Sequence, residues 1–231
     1  MVRNTTATAM MSAPDAGPVP EHETVYRRLR GQILHGEMAP GQAVTIQGIA
    51  ADLGAGMTPV REAIRRLIAE SALAFQGNRR VSVPVLRPEN LDELILARRM
   101  LDTELARRAA ERATPIDIDR LESIDKTLDA AIARGDVRGY LVENHRFHTA
   151  IYDLAAAPIL AGLAEGLWLR FGPSLRVVCG RLGTQNLPDQ HKEAIAAWRR
   201  GDANAVADAM ERDVVQGMEV IRAVLTAGRF D

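Results

Sequence analysis

The chain has 231 residues, of which 47% are hydrophobic, 26% charged and 4% aromatic, with a formal net charge of −1. These proportions suit a globular chain that buries a core, and they exclude collagen-like, disulfide-stapled and wholly disordered classes. Its apolar stretches fall short of the roughly 18–20 residues of a membrane span. No basic start followed by an apolar block suggests a secretory signal. A single cysteine, Cys179, fits a reducing cytoplasm, where it is expected to be an inert thiol.

Charge is uneven along the chain. Residues 21–88 hold nine Lys and Arg against six Asp and Glu, whereas residues 89–231 hold nineteen against twenty-three. A basic front on an acidic back marks the front as the part that meets a polyanion. Residues 1–20 are rich in Thr, Ala, Ser and Pro without usable periodicity and read as a flexible tail.

The spacing of Val25, Leu29 and Ile33 predicts a helix from Glu21 to His35, stopped by Gly36 before a Pro40-Gly41 turn. Two short helices follow, Ile46–Leu53 and Thr58–Ser71, separated by Gly54-Ala55-Gly56. Leu73–Gln76 and Val81–Leu86 read as strands of a hairpin whose turn begins at Gly77-Asn78. Beyond the Arg87-Pro88 linker only helical texture remains. Helices are predicted over Leu91–Ala113, from Pro115 to Ala133, from an Asp136 cap to Ala156, and from Pro158 to Val178. After a loop over Cys179–Pro188 come Asp189–Arg200 and a last helix from Gly201-Asp202 to Leu225. The predicted fold is mainly α: a winged helix-turn-helix with a small β-hairpin over 21–86, then an all-α six-helix bundle over 89–227. Residues 228–231 are a short C-terminal tail.

The geometry of a helix-turn-helix gives its second helix two faces. Val60, Ile64 and Leu67 pack inward, and the N-terminal polar residues Thr58, Arg61, Glu62 and Arg65 point outward toward a major groove. Arg61 and Arg65 lie one turn apart and share a face, from which an Arg can take a guanine bidentately or grip phosphate. Gln47, on the preceding helix, is a further DNA candidate. The basic hairpin tip, Asn78-Arg79-Arg80, suits an adjacent backbone or minor groove.

The runs His35-Gly36-Glu37-Met38-Ala39-Pro40-Gly41, Ile49-Ala50-Ala51-Asp52-Leu53-Gly54 and Thr58-Pro59-Val60-Arg61-Glu62-Ala63-Ile64 together resemble the GntR family of bacterial transcription regulators. The likeness covers residues 22–86 in order. This chain has Gly56-Met57 where the family commonly has Ser-Arg, and Arg80 where the wing tip usually has Gly. One basic contact is lost and another gained. The resemblance implies a cytoplasmic homodimer that binds a short palindromic operator.

Within the bundle, three helices each set a metal-capable group on an apolar face. Asn144 and His148 share a face with Leu141, Ile151 and Tyr152; His191 stands with Ala194, Ile195 and Trp198; Asp213 sits among Val206, Met210, Gly217 and Ile221. An ionised carboxylate on such a stripe is costly unless it is paired or ligates a cation. The pattern therefore predicts a divalent metal at the bundle centre, against a competing reading of a metal-free pocket lined by hydrogen-bonded core residues. His145 points to another face and reads as a bystander.

This region resembles the FCD type of effector domain of the FadR-like branch, and six helices instead of seven place it near the VanR-like subgroup. In such relatives the ligands read Asp-x-x-x-His, a His opening a later helix, and a final His. Here those positions are Asn144, His148, His191 and Asp213, so the carboxylate lost at 144 is regained at 213. The resulting set suits zinc, manganese, nickel or iron. The resemblance also implies an inward Arg, Arg98, which either receives the carboxylate of a small organic acid effector or pairs with Asp102 one turn on. Arg176 and Arg181 are further pocket candidates. A metal-dependent enzyme, or a nucleoid-type DNA binder without ligand control, are the alternative functions.

Overall fold

The computed structural model describes residues 19–76, 80–182 and 190–227. Residues 1–18 of the predicted 1–20 tail, the predicted tail at 228–231, the wing-tip residues Asn78 and Arg79, and the side chain of Arg181 lie outside the described residues.

The N-terminal part begins with α1 (Glu21–Leu34), which buries Val25, Tyr26, Leu29, Ile33 and Leu34 at the predicted helical spacing. After β1 (Ala43–Val44), Thr45 caps α2 (Ile46–Leu53) by accepting the Gly48 amide at 3.0 Å. Gly54 ends α2 with φ +63°, a left-handed conformation that lets the chain turn at once into α3 (Met57–Ala69). α3 buries Val60, Ala63, Ile64 and Leu67, and packs on both α1 and α2. β2 (Ala74–Gln76) and β3 (Arg80–Ser82) form the wing.

Among the described residues the sheet has three antiparallel strands in the order β1-β3-β2, with Val44 and Phe75 flanking Val81. The hairpin was thus expected, and the third strand was not. The second strand of the hairpin also stops at Ser82, short of the predicted Leu86. Pro84 has no amide hydrogen to continue the ladder, and the Val83 amide turns instead to the Gln42 carbonyl.

A 3-10 turn (Pro88–Asn90) leads into the bundle: α4 (Leu91–Arg112), α5 (Pro115–Ala133), α6 (Val137–Leu154), α7 (Pro158–Leu182), α8 (Gln190–Arg199) and α9 (Ala203–Thr226). Three of these starts have a side-chain cap. Thr114 and Asp117 form a reciprocal capping box ahead of α5, while Asp136 and Asp202 accept the Gly139 and Ala205 amides. The chain from Cys179 to Leu182, expected as loop, is the last turn of α7. Val178 and Cys179 are buried there, so packing carries the helix past the predicted end. α4 and α9 form the longest pairing, with α6 and α7 against α4 and with α5 and α8 closing the other side. α7 also packs on α1, which ties the two parts together.

Candidate functional site

On the N-terminal part, arginines of α3 divide into two kinds. Arg66 lies 3.5 Å over the Tyr26 ring and pairs with Glu23 at 2.9 Å and Glu70 at 3.1 Å, so it is engaged within the fold. Arg61 and Arg65 are exposed and make no hydrogen bond or ion pair among the described residues. Thr58 and Gln47 are exposed too, and Arg80 is exposed at the base of the wing. α3 thus presents an outward basic edge above an apolar face that fixes its angle on α1, the arrangement needed to enter a groove.

The second site draws on all six bundle helices. His148 of α6, His191 of α8 and Asp213 of α9 bring one ligand atom each to within 4.8 Å of one another. His148 Nε2 is 3.1 Å from Asp213 Oδ2, and His191 Nε2 is 3.6 Å from Asp213 Oδ1. Asn144 is buried one turn before His148, and all four residues line a cavity of about 110 Å³ together with Arg98, Tyr140 and Gln190. The predicted quartet therefore shares one cavity.

The outer nitrogens of both imidazoles face carboxylates. His191 Nδ1 is 3.2 Å from Asp125 Oδ1 on α5, with the ring stacked on Phe147 at 3.9 Å. His148 Nδ1 is 3.5 Å from Asp102 Oδ1 on α4. Asp102 in turn accepts from Arg98 Nε at 2.8 Å and Nη2 at 3.1 Å, and from the Tyr152 hydroxyl, which receives the Trp168 indole N–H at 3.0 Å. Arg98 is held over the Trp168 and Phe171 rings as well. Of the two roles open to Arg98, the ion pair with Asp102 is formed, and the residue lines the cavity at the same time.

Electrostatics follow from these contacts. Burial pushes the Asp102 carboxyl up, but Arg98 and then His148 outweigh it and hold it well below the usual carboxylate range. Asp213 is likewise lowered: burial opposes, and His191, His148 and Arg98 prevail. Burial disfavours a charged His148, whereas Asp102 and Asp213 together raise its pKa. Burial lifts the Cys179 thiol to about 12, which leaves it protonated and inert.

Three donors from separate helices, two of them imidazoles backed by carboxylates, form a donor set that fits a divalent transition metal. The buried His191 Nε2, which has no hydrogen-bond partner among the described residues, supports the fit. Asp125 was not singled out from sequence. Its signal was present: it is a carboxylate beside Ile124 on the stripe Leu121, Ile124, Leu128. His145 does turn away from the cavity, yet it bonds Glu165 at 3.0 Å and meets the Trp168 ring, so it belongs to the contact between the two parts.

A winged helix-turn-helix joined to a six-helix bundle with a buried polar centre defines a DNA-binding transcription regulator. Residues 21–83 match the gntR family of bacterial regulatory proteins, and residues 93–216 match the FCD domain. The HTH-type transcriptional regulator McbR of Escherichia coli K12 is 34% identical over 151 residues, 65% of this chain and 68% of that protein. The solved structure of E. coli McbR/YncC superposes with a TM-score of 0.80 at 28% identity, over 91% of this chain and 99% of the other. The HTH-type transcriptional repressor RspR of E. coli K12 is 22% identical over 206 residues, 89% and 90% of the two chains. A Rhodococcus structure described as a putative GntR regulator shares the fold, with a TM-score of 0.72 at 23% identity over 87% of this chain and 96% of that one. The chain belongs to the GntR family and carries an FCD domain of the FadR-like branch.

Proposed function

We propose that this regulator is ligand-responsive, with a divalent metal held by His148, His191 and Asp213 and completed by the Asn144 amide oxygen. The observation that carries the reading is the convergence of three ligand atoms within 4.8 Å in a cavity that an arginine also lines. Bound there, the metal supplies a Lewis-acidic point for a ligand carboxylate. Arg98 gives the same ligand a cation through the guanidinium nitrogen that Asp102 leaves unused. The cavity, about 110 Å³, is smaller than the roughly 300–1,000 Å³ of drug-sized ligand sites, which points to an organic acid of few carbons. Zinc, manganese, nickel and iron suit the mixed set of nitrogen and oxygen donors.

The reading head comprises Thr58, Arg61 and Arg65 of α3, Gln47 of α2, and Asn78, Arg79 and Arg80 of the wing. Two copies in a cytoplasmic homodimer set two such heads on a short palindromic operator. Effector binding shifts the equilibrium between DNA-competent and incompetent arrangements by its different affinity for each.

The test is thermal melting of EDTA-treated protein with and without zinc, manganese and nickel, alongside His148→Ala. A metal that binds only the folded state at 100 times its Kd adds about 2.7 kcal/mol. A rise in Tm for the wild type alone supports the site. No rise in the wild type with any of the three metals removes it.

A further inference from the structure

We propose that Asp125 is the outer carboxylate of this metal centre, orienting His191 so that its Nε2 faces the ion. The inference rests on the metal reading above. It starts from the proton on His191. Asp125 Oδ1 lies 3.2 Å from Nδ1, and an ionised carboxylate there accepts a hydrogen bond, which places the ring proton on Nδ1. The opposite nitrogen, Nε2, is then a bare lone pair. It is buried, has no hydrogen-bond partner among the described residues, and faces Asp213 Oδ1 at 3.6 Å.

The other side differs: Asp102 stands 3.5 Å from His148 Nδ1, too far to fix its proton, and His148 Nε2 lies 3.1 Å from Asp213 Oδ2. The His191 lone pair thus faces the Asp213 carboxylate, an arrangement that repels itself unless a cation lies between them.

The two outer carboxylates are not equivalent. Asp102 is neutralised by Arg98, which bonds both of its oxygens. Asp125 is 3% exposed, and His191 is its one hydrogen-bond partner among the described residues. Asp125 therefore acts through His191 as a positioning residue.

The experiment uses the full chain and zinc alone. Zinc affinity is read by competition with a chromophoric chelator for the wild type, Asp125→Asn and Asp125→Leu. The His191 tautomer is read from imidazole nitrogen shifts in the metal-free proteins, with His148 as internal reference. Asp125→Asn keeps the acceptor oxygen and removes the charge, so zinc affinity should fall roughly 10- to 100-fold. Asp125→Leu should mix the His191 tautomers and leave His148 unchanged. Unaltered zinc binding in Asp125→Asn overturns the role of the carboxylate. If the wild type takes up no zinc, the metal reading fails by itself. The shifts still decide the positioning role, since an Nδ1-protonated His191 surviving in Asp125→Leu overturns it.

Discussion

Gly172 of α7 lies on the Leu34 carbonyl at the end of α1, so closely that a β-carbon at 172 would overlap that oxygen. One turn further along α7, Arg176 packs on Gly36, whose left-handed φ of +65° only a residue without a side chain adopts at little cost. The Arg30–Glu165 pair at 2.7 Å flanks the same contact. The adjacent face of this stretch of α7 carries Trp168, Phe171 and Leu175, which line the buried polar cavity. One helix therefore touches the winged helix-turn-helix part and the bundle cavity through neighbouring faces.

That packing makes Gly172→Ala costly. The methyl group forces α1 and α7 apart, and overpacking of this kind costs about 1–3 kcal/mol. Gly166, in the same helix, has open space around its Cα, so Gly166→Ala should instead gain about 0.5–1 kcal/mol from helix propensity. Urea titrations of the two variants check the difference in sign. Equal midpoints would refute the close contact.

The α1–α7 contact should also respond to pH in two separate windows. Burial opposes ionisation of Glu165, but His145 and Arg30 prevail and carry it down to about 2 from 4.5. A depressed carboxylate stabilises the fold above its unfolded pKa, and that stability is lost as pH falls from about 4.5 to 2. Burial, then His145, lowers His35 to about 4 from 6.5. Because the unfolded chain binds that proton more readily, this contribution is lost as pH falls from about 6.5 to 4. Each is on the order of 1–2 kcal/mol after solvent screening. Glu165→Gln should flatten the lower window of a stability-versus-pH curve and His35→Gln the upper one.

Much of this was legible in the sequence because its causes are local. Pro115, Pro158, Asp136 and Asp202 open helices through ring geometry or side-chain caps, and those signals need no tertiary partner. β1 was not legible, since two residues become a strand only by pairing with β3, far along the chain. The end of α7 was missed for a related reason: Val178 and Cys179 stay helical because they are buried. In the bundle cavity, carboxylate and imidazole on apolar stripes marked His148, His191 and Asp213. Asp125 escaped because a polar residue next to a stripe looks like its solvated edge until the facing helix supplies His191.

The Arg98–Asp102 pair gives a further prediction. Both side chains are almost fully buried. Arg98→Ala leaves an uncompensated carboxylate inside the bundle, and breaking a buried pair from one side costs about 3–5 kcal/mol. Arg98→Met combined with Asp102→Leu removes both charges and should cost clearly less. Unfolding of the two variants by urea measures the gap, and a double variant no more stable than Arg98→Ala would refute the paired-charge account.

On the DNA side, the division between engaged and unengaged arginines predicts which ones read sequence. Arg61 leaves the fold with nothing to lose, so Arg61→Ala should keep the unfolding midpoint within about 0.5 kcal/mol of wild type. If Arg61 takes a base bidentately, its removal should cost about 1–3 kcal/mol of operator binding and relax preference at one position. If Arg80 grips a phosphate at the wing, Arg80→Ala should weaken all sequences alike and lower the salt slope by about 1. Arg66→Ala should do the reverse of Arg61→Ala, lowering stability through the lost Tyr26, Glu23 and Glu70 contacts while leaving base preference intact. Binding titrations on a selected operator and its single-base variants at two salt concentrations separate the three. A loss of specificity in Arg66→Ala but not in Arg61→Ala would place the reading edge of α3 on its other face.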